Sequence, residues 1–120
     1  MKRIIYSFYI DIPEKELDIF DRDVLKKDEV PRNIVTKKQF KDNYFKLLAN
    51  KKWYAESIGV PFIMFEYDED FKNFKTRLQT RYPFITTYNV VNFYKLKLLC
   101  ELAKTYDEIL YLDFDVVCLT

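Results

Sequence analysis

Apolar and polar residues follow two different periods along this chain, and the changes of period divide it into strands and helices. Residues 3–12 (RIIYSFYIDI) are rich in β-branched and aromatic side chains and predict a first strand. The runs 61–67 (PFIMFEY) and 109–112 (ILYL) predict a second and a third strand. Because the first run is apolar on both faces through Ile10, we expect a strand that is covered on both sides, as in parallel sheets.

The interval between the first two strands contains one well-marked helix. Apolar residues recur at helical spacing over 37–58, and Thr36 and Gln39 form a capping box at the start. Gly59 lies where a left-handed C-terminal cap is wanted, and Pro61 prevents the helix from resuming. Residues 14–33 stay open between a short surface helix and an ordered loop.

Two more helices are predicted between the second and third strands. Apolar residues share one face of 68–81, with acidic residues at its start. Asn89 can cap the next helix, which runs to about Lys104. That helix is apolar over much of its circumference, so we expect it to be well buried.

Strands that alternate with helices predict an α/β fold, Rossmann-like, with three layers (α/β/α) and a mainly parallel sheet. A length of 120 residues suits one domain, and a hydrophobic share of 49% is enough to build a core. We find no internal repeat or linker.

Composition removes several classes of function. A net charge of +1 without a basic block argues against nucleic-acid binding. No apolar run approaches the roughly 20 residues of a membrane span, and we expect a cytoplasmic protein without a transmembrane segment. Cys100 and Cys118 lack metal-ligand spacing and are expected to be buried thiols. The chain has no histidine, which excludes histidine ligands and bases within it.

Two carboxylates follow the third strand directly. Asp113 and Asp115 are separated by Phe114, and 116–119 resume an apolar pattern, so the pair is expected between two buried runs. In an extended strand the two side chains would share one face, about 7 Å apart. Mg²⁺ or Mn²⁺ takes oxygen ligands of this kind together with substrate phosphates, which favours a metal–diphosphate site. Ordinary loop acids remain the alternative.

The segment that contains this pair resembles a known family. YDEILYLDFDVV (106–117) is similar to the Asp-x-Asp region of nucleotide-sugar glycosyltransferases with the GT-A fold, most of all the glycogenin-type and lipopolysaccharide galactosyltransferase-type enzymes. NFYKLKLLCELAKTYD (92–107) and KKWYAESIGVPF (51–62) agree with neighbouring family segments. The resemblance covers most of the chain, but only its last thirty residues are specific.

The resemblance implies a transferase that uses a nucleoside-diphosphate sugar as donor and an unknown glycan, protein or lipid as acceptor. Asp115 would bind Mn²⁺ or Mg²⁺ directly, and Asp113 would bind the metal, the ribose or both. Lys97 and Lys95 lie about where the family helix places a basic residue that contacts the donor.

By the same resemblance, the end of the first strand would lie near the nucleobase and ribose, around Phe8, Tyr9 and Asp11. Tyr9 would stack on the base, or else pack within the strand. In this family a further metal ligand, often histidine, and the acceptor-binding half both follow the Asp-x-Asp motif. We therefore expect 1–120 to be the N-terminal, donor-binding part of a longer enzyme, inactive alone, with uncovered apolar surface that promotes association.

Two other interpretations stay open. LDFDVVCL also fits the motif of haloacid-dehalogenase-type phosphatases, in which Asp113 would be the nucleophile and Asp115 the general acid/base, with Mg²⁺. That motif normally opens its domain, whereas here more than a hundred residues precede it. The other is a non-enzymatic α/β module in which both aspartates are loop acids.

Overall fold

The computed structural model describes residues 1–13 and 38–119. Within them, three strands and three long helices follow in order: β1 (Arg3–Tyr9), α1 (Tyr44–Ser57), β2 (Phe62–Glu66), α2 (Glu69–Arg81), α3 (Thr87–Leu102) and β3 (Glu108–Tyr111). Residues 38–42 are also helical and lead into α1. The open prediction for 14–33 and the Thr36 half of the capping box lie outside the described residues.

The three strands form one parallel sheet in the order β2-β1-β3. Ile5 of β1 is in register with Phe62 of β2 and with Leu110 of β3. The chain therefore has a mixed α/β architecture, which is compatible with a Rossmann-like fold. The predicted strands and helices are confirmed, while their ends differ by up to three residues, and the first helix is interrupted.

Helices cover β1 on both sides. Tyr6 faces α3, where its hydroxyl donates to the carbonyl of Lys95 at 3.1 Å. Tyr9 faces the opposite way, as odd and even residues of a strand must, and contacts Tyr44 of α1. The main core lies on the Tyr6 side and includes these buried residues: Ile4, Tyr6, Phe8, Phe71, Val90, Tyr94, Leu98 and Leu102.

Helix α1 ends as its sequence predicts. Gly59 has φ +70°, the left-handed conformation that glycine adopts at least cost. The N–H of Val60 donates to the carbonyl of Ala55 at 3.0 Å, and the N–H of Gly59 donates to that of Glu56 at 3.1 Å. These two bonds make a Schellman motif, which satisfies carbonyls that the helix end would otherwise leave unpaired.

The predicted helix 37–58 is interrupted at Asn43. The side-chain amide of Asn43 donates to the carbonyl of Gln39 at 2.8 Å, four residues back. A side chain that bonds the backbone in this way competes with regular helix geometry. The long regular helix therefore begins one residue later, at Tyr44.

Helix α3 departs from two predictions. Its N-cap is Thr86 and not Asn89, because the Thr86 hydroxyl accepts the backbone N–H of Asn89 at 3.1 Å. It is also not buried around its circumference. One stripe is buried (Thr87, Val90, Tyr94, Leu98 and Leu102), while the opposite face exposes Tyr88, Phe93, Leu96 and Leu99.

The expectation of two buried thiols is wrong. Cys100 is exposed on α3 and Cys118 is partly buried. Among the residues that the structure describes, no helix is long and apolar enough to cross a membrane.

Candidate functional site

The candidate site lies at the carboxyl ends of β1 and β3. From β1 the chain passes through α1 to β2, then returns across β1 through α2 and α3 to reach β3. The first connection thus places β2 on one side of the central strand, and the second places β3 on the other side. In open α/β sheets, the crevice between carboxyl ends at such a switch point is where ligands bind. Asp113 lies there, two residues beyond the last residue of β3.

The two aspartates lie on a turn, not on an extended strand. β3 ends at Tyr111, and the N–H of Val116 donates to the carbonyl of Asp113 at 3.0 Å, which closes a four-residue turn. The strand-based spacing of about 7 Å therefore does not apply. Aspartate is favoured at the first position of such turns. Both Asp113 and Asp115 are exposed to solvent.

The expected burial after the pair is also wrong, since Val117 is 59% exposed and Leu119 is 80% exposed. Only Phe114, between the two acids, is buried, with 4% of its surface exposed. Its ring stacks on Tyr9 of β1 at 4.7 Å and on Tyr44 of α1 at 5.6 Å between centroids. Phe114 thus anchors the turn in the layer between sheet and α1, while its neighbours point into water.

Helix α1 also holds the backbone of this turn. Lys51 is fully buried, and its ammonium donates to the carbonyls of Phe114 at 2.5 Å and Val116 at 2.8 Å. Next to it, Asn50 accepts from the N–H of Cys118 at 2.6 Å and donates to the carbonyl of the same residue at 3.0 Å.

Sequence reasoning missed Asn50 and Lys51. One signal was present, because Lys51 lies four residues from both Leu47 and Ala55 on the apolar stripe of α1. A lysine in an apolar stripe needs a buried partner. Burial lowers the pKa of Lys51, while electrostatic interactions with Cys118, Asp115 and Asp113 act in the opposite direction.

On the other face of the sheet, Tyr111 connects Asp113 with α3. Burial and a hydrogen bond to the Asp113 carboxylate raise the pKa of Tyr111 well above its ordinary value. The ammonium of Lys95 lies 4.2 Å from the centroid of the Tyr111 ring, within cation–π distance. The structure therefore brings Lys95 against the tyrosine that bonds Asp113.

Lys97 is engaged elsewhere. Its ammonium lies 2.7 Å from Asp70 of α2 and 3.1 Å from Glu101 of α3. It also lies 5.3 Å from the centroid of the Tyr94 ring. The structure thus joins Lys97 to an ion-pair cluster between α2 and α3, and of the two candidate lysines it is Lys95 that contacts Tyr111, the residue that bonds Asp113.

The three candidates at the end of β1 lie in different surroundings. Phe8 is buried on the α3 side, 5.7 Å from the ring of Tyr111. Tyr9 packs on the α1 side, with one ring face covered by Phe114, and its hydroxyl is buried without a hydrogen bond in the described part of the chain. Asp11 is partly buried, two residues beyond β1.

An open cleft of about 650 Å³ borders Asp115. Its walls come from the start of α1, the preceding helical residues and the segment after the turn: Gln39, Phe40, Asn43, Lys46, Leu47, Asn50, Asp115 and Val117. A second cleft, of about 480 Å³, lies at the amino ends of the strands and contains Lys2, Gly59 and Tyr106. Of these two clefts, only the first is lined by one of the two aspartates, Asp115.

The donor set at the turn fits a hard divalent cation. In proteins Mg²⁺ is usually held by one or two carboxylates plus substrate phosphates and waters, and Mn²⁺ also suits carboxylate ligands. Asp113 and Asp115 provide two exposed carboxylates. Within the described ranges, no group of three or more Asp, Glu, Cys or His side chains could hold an ion. An ion at this turn would therefore need ligand oxygens from elsewhere.

Comparisons of the chain with protein-family models, with curated proteins and with solved structures found no match. Function must therefore be inferred from the chemistry and geometry of the site.

Proposed function

We propose that this chain is the donor-binding part of a nucleotide-sugar glycosyltransferase of the GT-A type. In this proposal, Asp113 and Asp115 hold Mn²⁺ or Mg²⁺ against the diphosphate of a nucleoside-diphosphate sugar. The observation that carries it is the position of the acidic turn, at the carboxyl ends of parallel strands, in the crevice where the sheet changes direction. The resemblance of 106–117 to the family's Asp-x-Asp region supplies the substrate class.

Each residue around the turn would have a distinct task. Exposed Asp113 and Asp115 would bind the metal, with the Tyr111 hydroxyl orienting Asp113. The bound metal would stabilise negative charge on the departing diphosphate as a Lewis acid. Lys95 would contribute a second positive charge to the donor phosphates, because its ammonium lies over the ring of Tyr111, which bonds Asp113. Within the described part of the chain, we assign no residue to binding of the acceptor.

Thermal unfolding of the full chain with and without Mn²⁺, across uridine, guanosine, adenosine and cytidine diphosphates, tests this proposal. We expect stabilisation that requires both the metal and one of the nucleotides, since a ligand at 100 times its Kd stabilises a protein by about 2.7 kcal/mol. Asp115→Asn and Asp113→Asn should abolish the stabilisation. Asp42→Asn, which neutralises an exposed carboxylate on the helical residues before α1, should retain it.

Absence of any metal-dependent nucleotide stabilisation in the wild-type chain would reject the transferase proposal. Release of inorganic phosphate from a phosphate monoester, lost in Asp113→Asn, would instead favour the phosphatase interpretation of the same motif.

A further inference from the structure

Two consecutive side chains of α1, Asn50 and Lys51, form hydrogen bonds with the backbone of the acidic turn and the residues directly after it. The ammonium of Lys51 donates to two turn carbonyls, at 2.5 Å on Phe114 and 2.8 Å on Val116. It also lies 5.3 Å from the centroid of the Phe114 ring. Asn50 makes a reciprocal pair of hydrogen bonds with the backbone of Cys118. The segment from Phe114 to Cys118 is thus fixed by four hydrogen bonds to one turn of helix.

A fully buried ammonium is costly, and it is retained only where its donors are well satisfied. Here the partners are backbone carbonyls, and each belongs to a residue directly after one of the two aspartates. Lys51 therefore acts on the backbone that sets where the two carboxylates point. Its own charge does not reach solvent, because the side chain has no exposed surface.

We propose that Lys51 and Asn50 are positioning residues that hold Asp113 and Asp115 in the arrangement a divalent cation requires. This inference rests on the proposed function and adds an element to it: α1, which contributes no carboxylate to the turn, sets the metal affinity of the site. Residues that orient metal ligands typically change metal affinity 10- to 100-fold when they are replaced.

The sign of the effect separates positioning from simple electrostatics. If Lys51 acted on the site only through its charge, its removal would take a cation away from two carboxylates and would strengthen metal binding. If Lys51 positions the turn, its removal weakens metal binding despite the lost repulsion. Asp113 and Asp115 are exposed, so solvent and salt screen the charge effect more than the buried hydrogen bonds.

The test compares Lys51→Met and Asn50→Ala with Lys52→Met in the full chain. Lys52 is the exposed neighbour on the same helix, so its replacement removes one positive charge without touching the turn. Mn²⁺ alone is titrated, and the free ion is followed by electron paramagnetic resonance. We expect Kd for Mn²⁺ to rise about tenfold in Lys51→Met and Asn50→Ala, and to stay unchanged or fall in Lys52→Met.

Amide hydrogen exchange gives a readout that does not depend on the metal. Exchange at the N–H groups of Val116 and Cys118 should speed up in both variants, while exchange in β1 stays as in wild type. If Lys51→Met fails to fold, judged by circular dichroism, Asn50→Ala decides by the same comparison, since Asn50 is only partly buried.

The possible outcomes also separate a failure of the positioning role from a failure of the proposed function. If the wild-type chain binds Mn²⁺ and the folded Lys51→Met and Asn50→Ala variants bind it as tightly as Lys52→Met does, the positioning role is rejected and the proposed function stands. If the wild-type chain binds no Mn²⁺ alone but is stabilised by Mn²⁺ together with a nucleoside diphosphate, the same three variants are compared in that thermal assay. If it does neither, the proposed function fails and the positioning role fails with it. Faster exchange in the variants would then identify a purely structural contact.

Discussion

At the scale of single residues, Asp70 joins two helices through one carboxylate. Its Oδ2 accepts a hydrogen bond from the hydroxyl of Tyr94 at 2.8 Å and one from the ammonium of Lys97 at 2.7 Å. The bond from Lys97, followed by that from Tyr94, lowers the pKa of Asp70 below its ordinary value of 3.8. The charged form of Asp70 is therefore the one that stabilises the contact between α2 and α3.

This shift predicts a dependence of stability on pH. Because the folded-state pKa of Asp70 is depressed, its contribution is complete above pH 3.8 and is lost as pH falls through the lower folded-state value. Asp70→Asn should cost about 1 kcal/mol or less at pH 7, since half of the side chain is exposed. Urea unfolding of both proteins between pH 7 and pH 2.5 should show this difference shrinking towards acid. A difference that stays constant over the same range would assign the effect to packing and not to charge.

At the scale of whole elements, the C-terminus of α1 rests on one backbone conformation. Gly59 adopts φ +70°, and a Cβ built there meets no atom within 4 Å. Substitution there is thus opposed by the backbone alone, because a left-handed residue with a side chain costs about 1–2 kcal/mol.

We expect Gly59→Ala to lower the free energy of unfolding by about 1 kcal/mol, and Gly59→Asn to lower it less, since asparagine tolerates this conformation better. Urea unfolding at neutral pH measures both. Equal losses for alanine and asparagine would contradict a purely conformational cause.

Elements and site differ in how far the sequence predicts them. The end of α1 is predictable because Gly59 and Pro61 are local signals, and the parallel sheet follows from apolar runs that alternate with helices. The turn at Asp113 is harder to predict from the sequence, because β3 ends before the acid pair and the alternation of side chains along a strand no longer applies. The hydrogen bond from Lys51 to the carbonyl of Phe114 is not predictable from local sequence patterns, because it joins positions 63 residues apart.

The burial of α3 shows a related limit. Apolar residues around its circumference predict burial on every side, but the described structure packs only the stripe that faces β1 and α2. Composition indicates how much apolar surface must be covered and says nothing about what covers it. The predicted N-cap at Asn89 is wrong for a similar reason: Thr86 and Asn89 are both favourable N-cap residues, and the backbone conformation selects Thr86.

At the scale of the whole molecule, large apolar side chains face solvent at two places, on the outer face of α3 and on β3. Phe93, Leu96 and Leu99 of α3 are 49%, 51% and 38% exposed, and Leu110 of the edge strand β3 is 43% exposed. Large exposed apolar patches favour association, and edge strands add unpaired backbone groups. Association therefore stays a prediction, for which a second copy of the chain is the simplest partner in pure solution.

Sedimentation velocity over a hundredfold range of concentration tests this expectation. The wild-type chain should associate as concentration rises, and Leu96→Lys should shift the distribution towards monomer, because a charge in the patch must be desolvated on association. Asn73→Lys makes a matched control, since it adds the same charge at an exposed polar position of α2, away from the exposed face of α3, and should change association much less. Equal effects of the two lysines would indicate general charge repulsion. A monomer at every concentration would show that the exposed face of α3 does not drive association.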